Sequence, residues 1–231
     1  MCHRSGGRNP PGRGAVTGGG GGIGLATVRR LAEAGASVLI GDLDGDAVKR
    51  EADRIGKEFG VTVIGQALDV TSEQSIIAFA DAAVSQLGGL DIWVNNAGIF
   101  PHSSITDMTV ESWERVQNVN LRGTFVCSQA CIPHLKKSTN PHILVLSPPL
   151  NLAPKWLGLH PAYTTSKYSM SLIAMGLAQE VLRSGRPLST PRYQDDCSSA
   201  GLTPVSPDIR SWMGVPLNAG TETIGVLSVG N

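Results

Sequence analysis

The sequence has few charged and few aromatic residues, and it carries no net charge. Charged residues make up 16% and aromatic residues 5% of the 231 positions, and 19 basic residues balance 19 acidic ones. Such a chain lacks the positive field that attracts nucleic acid or anionic lipid. No apolar run is long enough to span a bilayer. We therefore expect no nucleic acid and no membrane as partners, whereas a net charge near zero favours self-association.

Cysteine is scarce and its spacing is not that of a metal site. Cys2, Cys127, Cys131 and Cys197 form no ligand pattern, so no metal is predicted. Cys127 and Cys131 are four positions apart in a predicted helix and fit two small buried apolar side chains. The N-terminus carries arginines without the apolar stretch of a secretory signal. A reducing, cytoplasmic location is the expectation.

Short apolar runs alternate with helical periods through residues 15–183. The predicted strands are 37–41, 61–64, 90–94 and 142–146, and the predicted helices are 23–34, 44–59, 72–87 and 109–137. Glycines that would end helices in a left-handed conformation are Gly35, Gly60 and Gly88. Thr71 with Gln74 fits the start of the third helix as a capping box. Alternating strands and helices predict an α/β fold with a doubly wound parallel sheet of the Rossmann type.

Composition divides the chain into three parts. Residues 1–14, rich in Gly, Pro and Arg, read as a disordered lead-in, and residues 15–183 read as one dinucleotide-binding and catalytic domain. The first strand is weak, because only Ala15 and Val16 precede Thr17. Residues 184–231 form an atypical, irregular C-terminal segment in which only 224–229 reads as a strand.

A glycine-rich turn follows the first strand. Gly18, Gly22 and Gly24 lie between Thr17 and the helix that begins near Ile23. A tight turn at the start of a helix lets the backbone approach a diphosphate and directs N–H groups towards it. A flexible glycine linker is the alternative, but the position between a strand and an amphipathic helix favours a nucleotide-binding turn.

Asp42 indicates which dinucleotide would bind. It ends the second predicted strand, 24 positions after Gly18. A carboxylate there accepts hydrogen bonds from a ribose diol and repels a 2′-phosphate. The alternative is an ordinary turn aspartate. The sequence therefore predicts NAD as the cofactor in preference to NADP.

Tyr163 and Lys167 are one helical turn apart and share a helix face. A phenol has a pKa of about 10, and a neighbouring positive charge favours its ionised form. Such a pair can take a proton from an alcohol or give one to a carbonyl while a hydride moves. An ordinary exposed pair of side chains is the alternative.

These motifs together resemble the short-chain dehydrogenase/reductase family over residues 15–183. The matching strings are 17–24, 68–70, 95–98, 118–121 and 163–167. The resemblance implies that Asp69 and Val70 contact adenine and that Asn95, Ala97 and Gly98 close the fourth strand against the cofactor. It also implies Tyr163 as acid/base, Lys167 as its activator, Asn120 as a residue of the proton relay and Ser147 as the partner of the substrate oxygen. Ser147 lies 16 residues before Tyr163, further than is usual in the family, and Pro148 occupies the usual position.

Residues 131–137 and 142–152 resemble the hydroxysteroid dehydrogenase-like branch of that family. Members of this branch tend to use NADP, which conflicts with Asp42, and we give Asp42 the greater weight. Residues 208–231 resemble the end of a GAF-type sensor domain, and the competing interpretation is that 223–229 supplies the family's last strand. The resemblance implies a homodimer or homotetramer through the helices near 109–137 and 161–183.

The expected activity is interconversion of a small alcohol and a carbonyl compound with NAD(H). The alternative is a dinucleotide-binding module without turnover, because residues 184–210 lack the pattern of a substrate lobe. A sensor role would rest on the last ~25 residues, which are too few for an ordinary domain.

Overall fold

The computed structural model describes residues 12–147, 160–183, 212–219 and 222–230. These residues divide into two compact units. The first unit holds residues 12–96 and 130–141, and the second holds 97–129 together with the described residues from 142 onward. Most of the predicted lead-in, residues 1–11, and residues 184–211 of the expected irregular segment lie outside the described residues.

The first unit is a parallel sheet with helices packed against it. Its strands are β1 (Arg13–Thr17), β2 (Ser37–Asp42), β3 (Val63–Ala67) and β4 (Ile92–Asn95). Its helices are α1 (Gly22–Glu33), α2 (Gly45–Phe59) and α3 (Glu73–Leu87). The four strands lie in the order β3-β2-β1-β4, which is the order of the first four strands in the Rossmann-type doubly wound sheet. The predicted α/β, Rossmann-type fold is confirmed.

Strand β1 lies between β2 and β4, although its sequence is only weakly apolar. It includes Arg13 and Gly14, which the composition had assigned to the lead-in. Ala15 and Val16 are fully buried, and parallel neighbours on both sides satisfy the backbone. The Arg13 guanidinium donates two hydrogen bonds of 2.8 Å to Asp91, which ties the start of the strand to the segment before β4. Pairing on both edges therefore compensates for a short apolar run.

Glycines follow three helices, as predicted. All three have positive φ, from 68° to 90°: Gly35, Gly60 and Gly88. The start of α3 differs from the prediction, because Ser72 and not Thr71 is the cap, with its side chain accepting from the Ser75 N–H at 3.3 Å. The Thr71 hydroxyl instead donates to the Asp69 carboxylate at 2.7 Å.

The second unit is mostly helical in its described part. Its elements are α4 (Val110–Val116), a π-helical segment (Gln117–Arg122), the start of α5 (Gly123–Leu135), β5 (His142–Val145), α6 (Pro161–Arg183), β6 (Trp212–Ala219) and β7 (Glu222–Gly230). The predicted helix 109–137 is thus interrupted by a π-helical turn, and such turns occur frequently at functional sites.

The C-terminal residues that the structure describes are regular. Strands β6 and β7 pair antiparallel, with a register irregularity between Leu217 and Asn218. The expectation of an irregular segment is therefore wrong for these two strands, and the predicted run 224–229 lies within β7. None of the helices in the described ranges is both long enough and apolar enough to cross a membrane.

Candidate active site

The glycine-rich turn leaves the start of α1 open. Gly18 and Gly22 have φ of 63° and 51°, which side chains rarely adopt, so glycine is required at both positions. Gly21 precedes the helix, and no side chain caps its first N–H groups. A Cβ built at Gly21 or Gly22 would meet no atom within 4 Å. Unsatisfied N–H groups next to open space are the features that bind a phosphate at a helix start.

Asn96 holds this turn from the end of β4. Its side-chain Nδ2 donates to the Thr17 carbonyl at 3.0 Å and to the Gly18 carbonyl at 2.8 Å. Its backbone N–H donates to Thr17 Oγ1 at 3.1 Å. A Cβ on Gly24 would lie 2.1 Å from the Gly18 oxygen and 2.4 Å from Asn96 Nδ2, so only glycine fits there. The turn is therefore fixed before any ligand binds.

Asp42 lies against the same turn, at the carboxyl end of β2. Its Oδ2 accepts from the Gly20 N–H at 3.0 Å, and its Oδ1 accepts from the Leu43 N–H at 2.8 Å. These bonds fix a negative charge beside the turn and leave lone pairs on both oxygens. Leu43 directly follows β2, and Ile23 lies in the first turn of α1. Their large apolar side chains are 72% and 68% exposed.

Asp69 and Val70 follow the third strand of the first unit. The Asp69 carboxylate accepts from the Thr71 N–H at 2.8 Å and from its hydroxyl, so it organises its own loop. The side chain of Val70 is buried. Asn95 is also buried, and its Oδ1 accepts from the Trp93 indole at 3.0 Å. Asn95 and Asn96 therefore have different hydrogen-bond partners. The sequence motif alone does not show which of the two asparagines holds the glycine-rich turn.

Tyr163 and Lys167 lie near the start of α6 in the second unit. Lys167 is only 6% exposed, and its Nζ donates to the Leu146 carbonyl at 2.8 Å. The same Nζ lies 5.7 Å from the centre of the Tyr163 ring. A cation at this distance interacts favourably with the aromatic ring. The pair is thus a buried amine close to a partly buried phenol.

Burial shifts the pKa of both groups. It lowers the pKa of Lys167 from 10.5 to about 8, because the ammonium form loses hydration. It raises the pKa of the Tyr163 phenol above 10.0. Sequence reasoning expected the lysine to lower the pKa of the tyrosine, whereas the effect of burial is larger and raises it. At pH 7 the lysine is mostly charged and the tyrosine is protonated.

Asn120 lies in the π-helical segment and is fully buried. Its amide spans the loop after β4, accepting from the Ile99 N–H at 2.8 Å and donating to the Ile99 carbonyl at 3.0 Å. Its second N–H donates to Ser166 Oγ at 3.0 Å, and Ser166 donates to the Tyr163 carbonyl at 2.7 Å. Both amide hydrogens are therefore used, and a water molecule could hydrogen-bond to the side chain only by donating to Oδ1.

Ser147 follows β5 and faces α6. Its hydroxyl donates to the Lys167 carbonyl at 2.6 Å and accepts from Ser171 Oγ at 2.8 Å. The side chain predicted to hold the substrate oxygen is therefore hydrogen-bonded within the protein. Ser171 was not foreseen, because a serine two turns beyond a tyrosine carries no signal by itself.

Tyr163 belongs to a cluster of four aromatic rings. Phe100 makes edge contacts with Tyr163, His102 and His160, at ring-centre distances of 4.3–4.5 Å, and the two histidine rings are 4.6 Å apart. Phe100 is 45% exposed, and Nδ1 of His160 is buried without a hydrogen-bond partner. Sequence reasoning missed this cluster, because its rings come from a loop and a helix start that are distant in the chain.

The predicted residues thus form two groups, each built within its own unit. Residues of the first unit surround the glycine-rich turn or follow neighbouring strands: Thr17, Gly18, Gly22, Ile23, Gly24, Asp42, Asp69, Val70 and Asn95. Residues of the second unit are Ala97, Gly98, Asn120, Ser147, Tyr163 and Lys167. Across the residues that the structure describes, no group of three or more His, Cys, Asp or Glu side chains is arranged to hold a metal ion.

Comparison with known proteins identifies the fold family. A model of the short chain dehydrogenase family matches residues 15–185. Hydroxysteroid dehydrogenase-like protein 2 of Pongo abelii is 41% identical over 171 residues, which cover 71% of this chain and 41% of that protein. The chain thus spans about two fifths of the length of this curated relative. The branch resemblance seen in the sequence is confirmed.

Solved structures agree with the family match. A short chain dehydrogenase from Mycobacterium thermoresistibile aligns with a TM-score of 0.71 and 35% identity, covering 77% of this chain and 65% of that one. An alcohol dehydrogenase from Thermococcus sibiricus, solved in complex with 5-hydroxy-NADP, aligns with a TM-score of 0.66 and 25% identity. The alignment covers 72% of this chain and 70% of that one. Because the family model covers most of the chain, this protein belongs to the short-chain dehydrogenase family of oxidoreductases.

Proposed function

We propose that this protein interconverts an alcohol and a carbonyl compound using NAD(H), with Tyr163 as acid/base. The observation that carries the proposal is the buried lysine one turn from the tyrosine, with Nζ 5.7 Å from the ring centre. Burying an amine to 6% exposure is costly, and a hydrogen bond to one carbonyl compensates for only part of that cost. Such an arrangement is typical of a site where a proton is moved.

In the reducing direction, Tyr163 donates its phenolic proton to the carbonyl oxygen of the substrate. The Lys167 ammonium then stabilises the phenolate, because opposite charges interact strongly where water is excluded. In the oxidising direction, the phenolate accepts the proton of the alcohol. The nicotinamide group, when bound, supplies or accepts the hydride.

The residues around the glycine-rich turn fit a dinucleotide. The uncapped start of α1 and the open space at Gly21 and Gly22 provide N–H donors for a diphosphate. In our proposal Thr17, Gly18, Ile23 and Gly24 line this site, with Asp69 and Val70 near adenine and Asn95, Ala97 and Gly98 next to the nicotinamide side. The fixed carboxylate of Asp42 supports NAD over NADP, because it would repel a 2′-phosphate.

Ser147 and Asn120 complete the proposed machinery. Ser147 donates to the oxygen of the substrate, and Asn120 holds the loop after β4 through Ile99 and supports the relay that returns a proton to Tyr163. The links from Asn120 through Ser166 to the Tyr163 carbonyl support this role, because they connect the π-helical turn to the catalytic helix.

The test is Tyr163→Phe, with Tyr168→Phe on the same helix as the matched control. We expect the first variant to lose at least about 100-fold in kcat while keeping NADH affinity, since removing a general acid or base costs 10²–10⁴-fold. The control should turn over like the parent. Equal turnover by Tyr163→Phe and the parent would refute the mechanism. NADH binding without turnover of any alcohol or carbonyl by the parent would instead favour a binding module.

Cofactor choice is tested separately by fluorescence titration with NADH and NADPH. We expect the parent to bind NADH more tightly, and Asp42→Asn to reduce that preference at least about tenfold, because the charge is lost while the side-chain oxygen can still accept from Gly20. Equal affinities for both cofactors in the parent would exclude our assignment.

Self-association through the helices of the second unit is also proposed. Phe125 on α5 and Leu172 and Met175 on α6 are 51%, 58% and 39% exposed, more than is usual for large apolar side chains in a monomer. Sedimentation of the parent as a dimer or tetramer, and of Leu172→Glu as a smaller species, would support this interface. The cytoplasmic location remains a prediction that cell fractionation can test.

A further inference from the structure

Three oxygen atoms form a closed hydrogen-bond triangle between β5 and α6. The Ser147 hydroxyl lies 2.6 Å from the Lys167 carbonyl, Ser171 Oγ lies 2.8 Å from Ser147 Oγ, and Ser171 Oγ lies 3.3 Å from the same carbonyl. Ser171 is 4% exposed, whereas Ser147 is only partly buried. Ser171 lies one turn beyond Lys167 on α6, the helix that carries the proposed acid/base, and Ser147 lies just after β5.

The triangle permits two arrangements of its hydroxyl protons. In the first, Ser147 donates to the Lys167 carbonyl and Ser171 donates to Ser147. In the second, Ser171 rotates and donates to the carbonyl four residues before it, a common bond for a helical serine. The second arrangement frees the Ser147 proton, and the carbonyl keeps a hydroxyl donor. Only hydroxyl rotation is needed, and no bond is made or broken.

We propose that Ser171 is a positioning residue that releases the Ser147 hydroxyl to the substrate oxygen. This inference rests on the proposed function, in which Ser147 is the donor to that oxygen. It explains how a serine already bonded within the protein can serve a substrate. When Ser147 turns, Ser171 replaces its bond to the Lys167 carbonyl, so a buried acceptor does not lose its hydroxyl partner.

The test is a double-mutant cycle on the full chain with Ser147→Ala and Ser171→Ala, measured as kcat and KM for an alcohol that the parent turns over. We expect Ser171→Ala to lower kcat about three- to tenfold with little change in KM or in NADH affinity. In the Ser147→Ala background, Ser171→Ala should not lower kcat further, because the Ser147 hydroxyl proton that Ser171 would release is already absent. A purely structural role would give additive losses.

The matched control is Ser128→Ala. Ser128 is also a buried helical serine, and its hydroxyl donates to the carbonyl four residues earlier, Thr124, at 2.8 Å. We expect its kcat to stay within about twofold of the parent. If Ser171→Ala fails to fold, Ser171→Cys keeps the size with a weaker donor and should also lower kcat.

Failure of the inference differs from failure of the proposed function. Suppose that the parent turns over substrate. A Ser171→Ala or Ser171→Cys variant with the kcat of the parent, or additive losses in the mutant cycle, would then overturn the role of Ser171 alone. A parent without turnover on any alcohol or carbonyl tested would overturn the proposed function, and the inference with it.

Discussion

Replacing Lys167 with methionine should make the protein more stable while removing the proposed activity. Burial lowers the pKa of this lysine from 10.5 to about 8. Each pKa unit corresponds to about 1.4 kcal/mol, so keeping the ammonium form in the folded protein costs about 3 kcal/mol near neutral pH. Methionine has a similar length and no charge, but it loses the hydrogen bond from Nζ to the Leu146 carbonyl, worth about 1 kcal/mol. The expected net gain is about 2 kcal/mol.

The sign of the pH dependence follows from the lowered pKa. Below pH 8 the lysine is protonated in both the folded and the unfolded chain, so the variant keeps its full advantage. Between pH 8 and 10.5 the unfolded chain binds a proton that the folded chain lacks, so the stability of the parent rises with pH. The advantage of Lys167→Met should therefore shrink across this window.

Urea unfolding of both proteins at several pH values from about 6.5 to 9.5 measures this difference. Lys57→Met, at an exposed position of α2, is the control, and its free energy of unfolding should stay within about 0.5 kcal/mol of the parent at every pH. A Lys167→Met protein that is less stable than the parent at pH 7, or whose difference from the parent does not change with pH, would refute the reasoning. Its kcat should fall by at least about 100-fold, because the phenolate of the proposed acid/base loses its cation.

Three further predictions follow from the packing. Gly24→Ala should lose about 2 kcal/mol or more and bind NADH poorly in a titration, because its Cβ would lie 2.1 Å from a backbone oxygen, whereas Gly21→Ala should unfold like the parent. Asn120→Ala should lose about 2–4 kcal/mol in urea unfolding, because it leaves the partly buried N–H and C=O of Ile99 without this side-chain partner. Burial acts to raise the pKa of the Asp91 carboxyl, but hydrogen bonds from Arg13 and Ser138 together lower it below its usual value of 3.8. Arg13→Met should therefore cost about 1–3 kcal/mol at pH 7, and in unfolding curves this difference should disappear only as the pH falls below 3.8 and through the lowered pKa that Asp91 has in the folded parent.

Local sequence patterns were sufficient for the fold class and for most element positions. The alternation of apolar runs and helical periods predicted strands β2 to β5 to within about two to three residues, because side-chain periodicity follows directly from backbone geometry, but it missed β6. Gly60 and Gly88 marked helix ends correctly, since only glycine tolerates their positive φ without strain. The cap of α3 was misplaced by one residue, because Thr71 and Ser72 are equally able to cap a helix and Asp69 binds the first of them.

The hydrogen-bond partners of the candidate site could not be predicted from the sequence. The motif with two asparagines was visible, but not that Asn96 would hold the glycine-rich turn while Asn95 binds the Trp93 indole. The pKa of Tyr163 is raised where the sequence predicted that Lys167 would lower it, because desolvation depends on the packing of many distant residues.

The sequence by itself determined the order of strands and helices, the glycines at tight turns and the chemical types at the candidate site. Each of these depends on a residue's own conformational range or on spacing along one element. Tertiary structure alone decided the burial of Lys167, the hydrogen-bond triangle around Ser147 and the contact of Phe100 with Tyr163. Those features join residues far apart in the chain, and their pKa values and hydrogen bonds exist only once the intervening elements are packed.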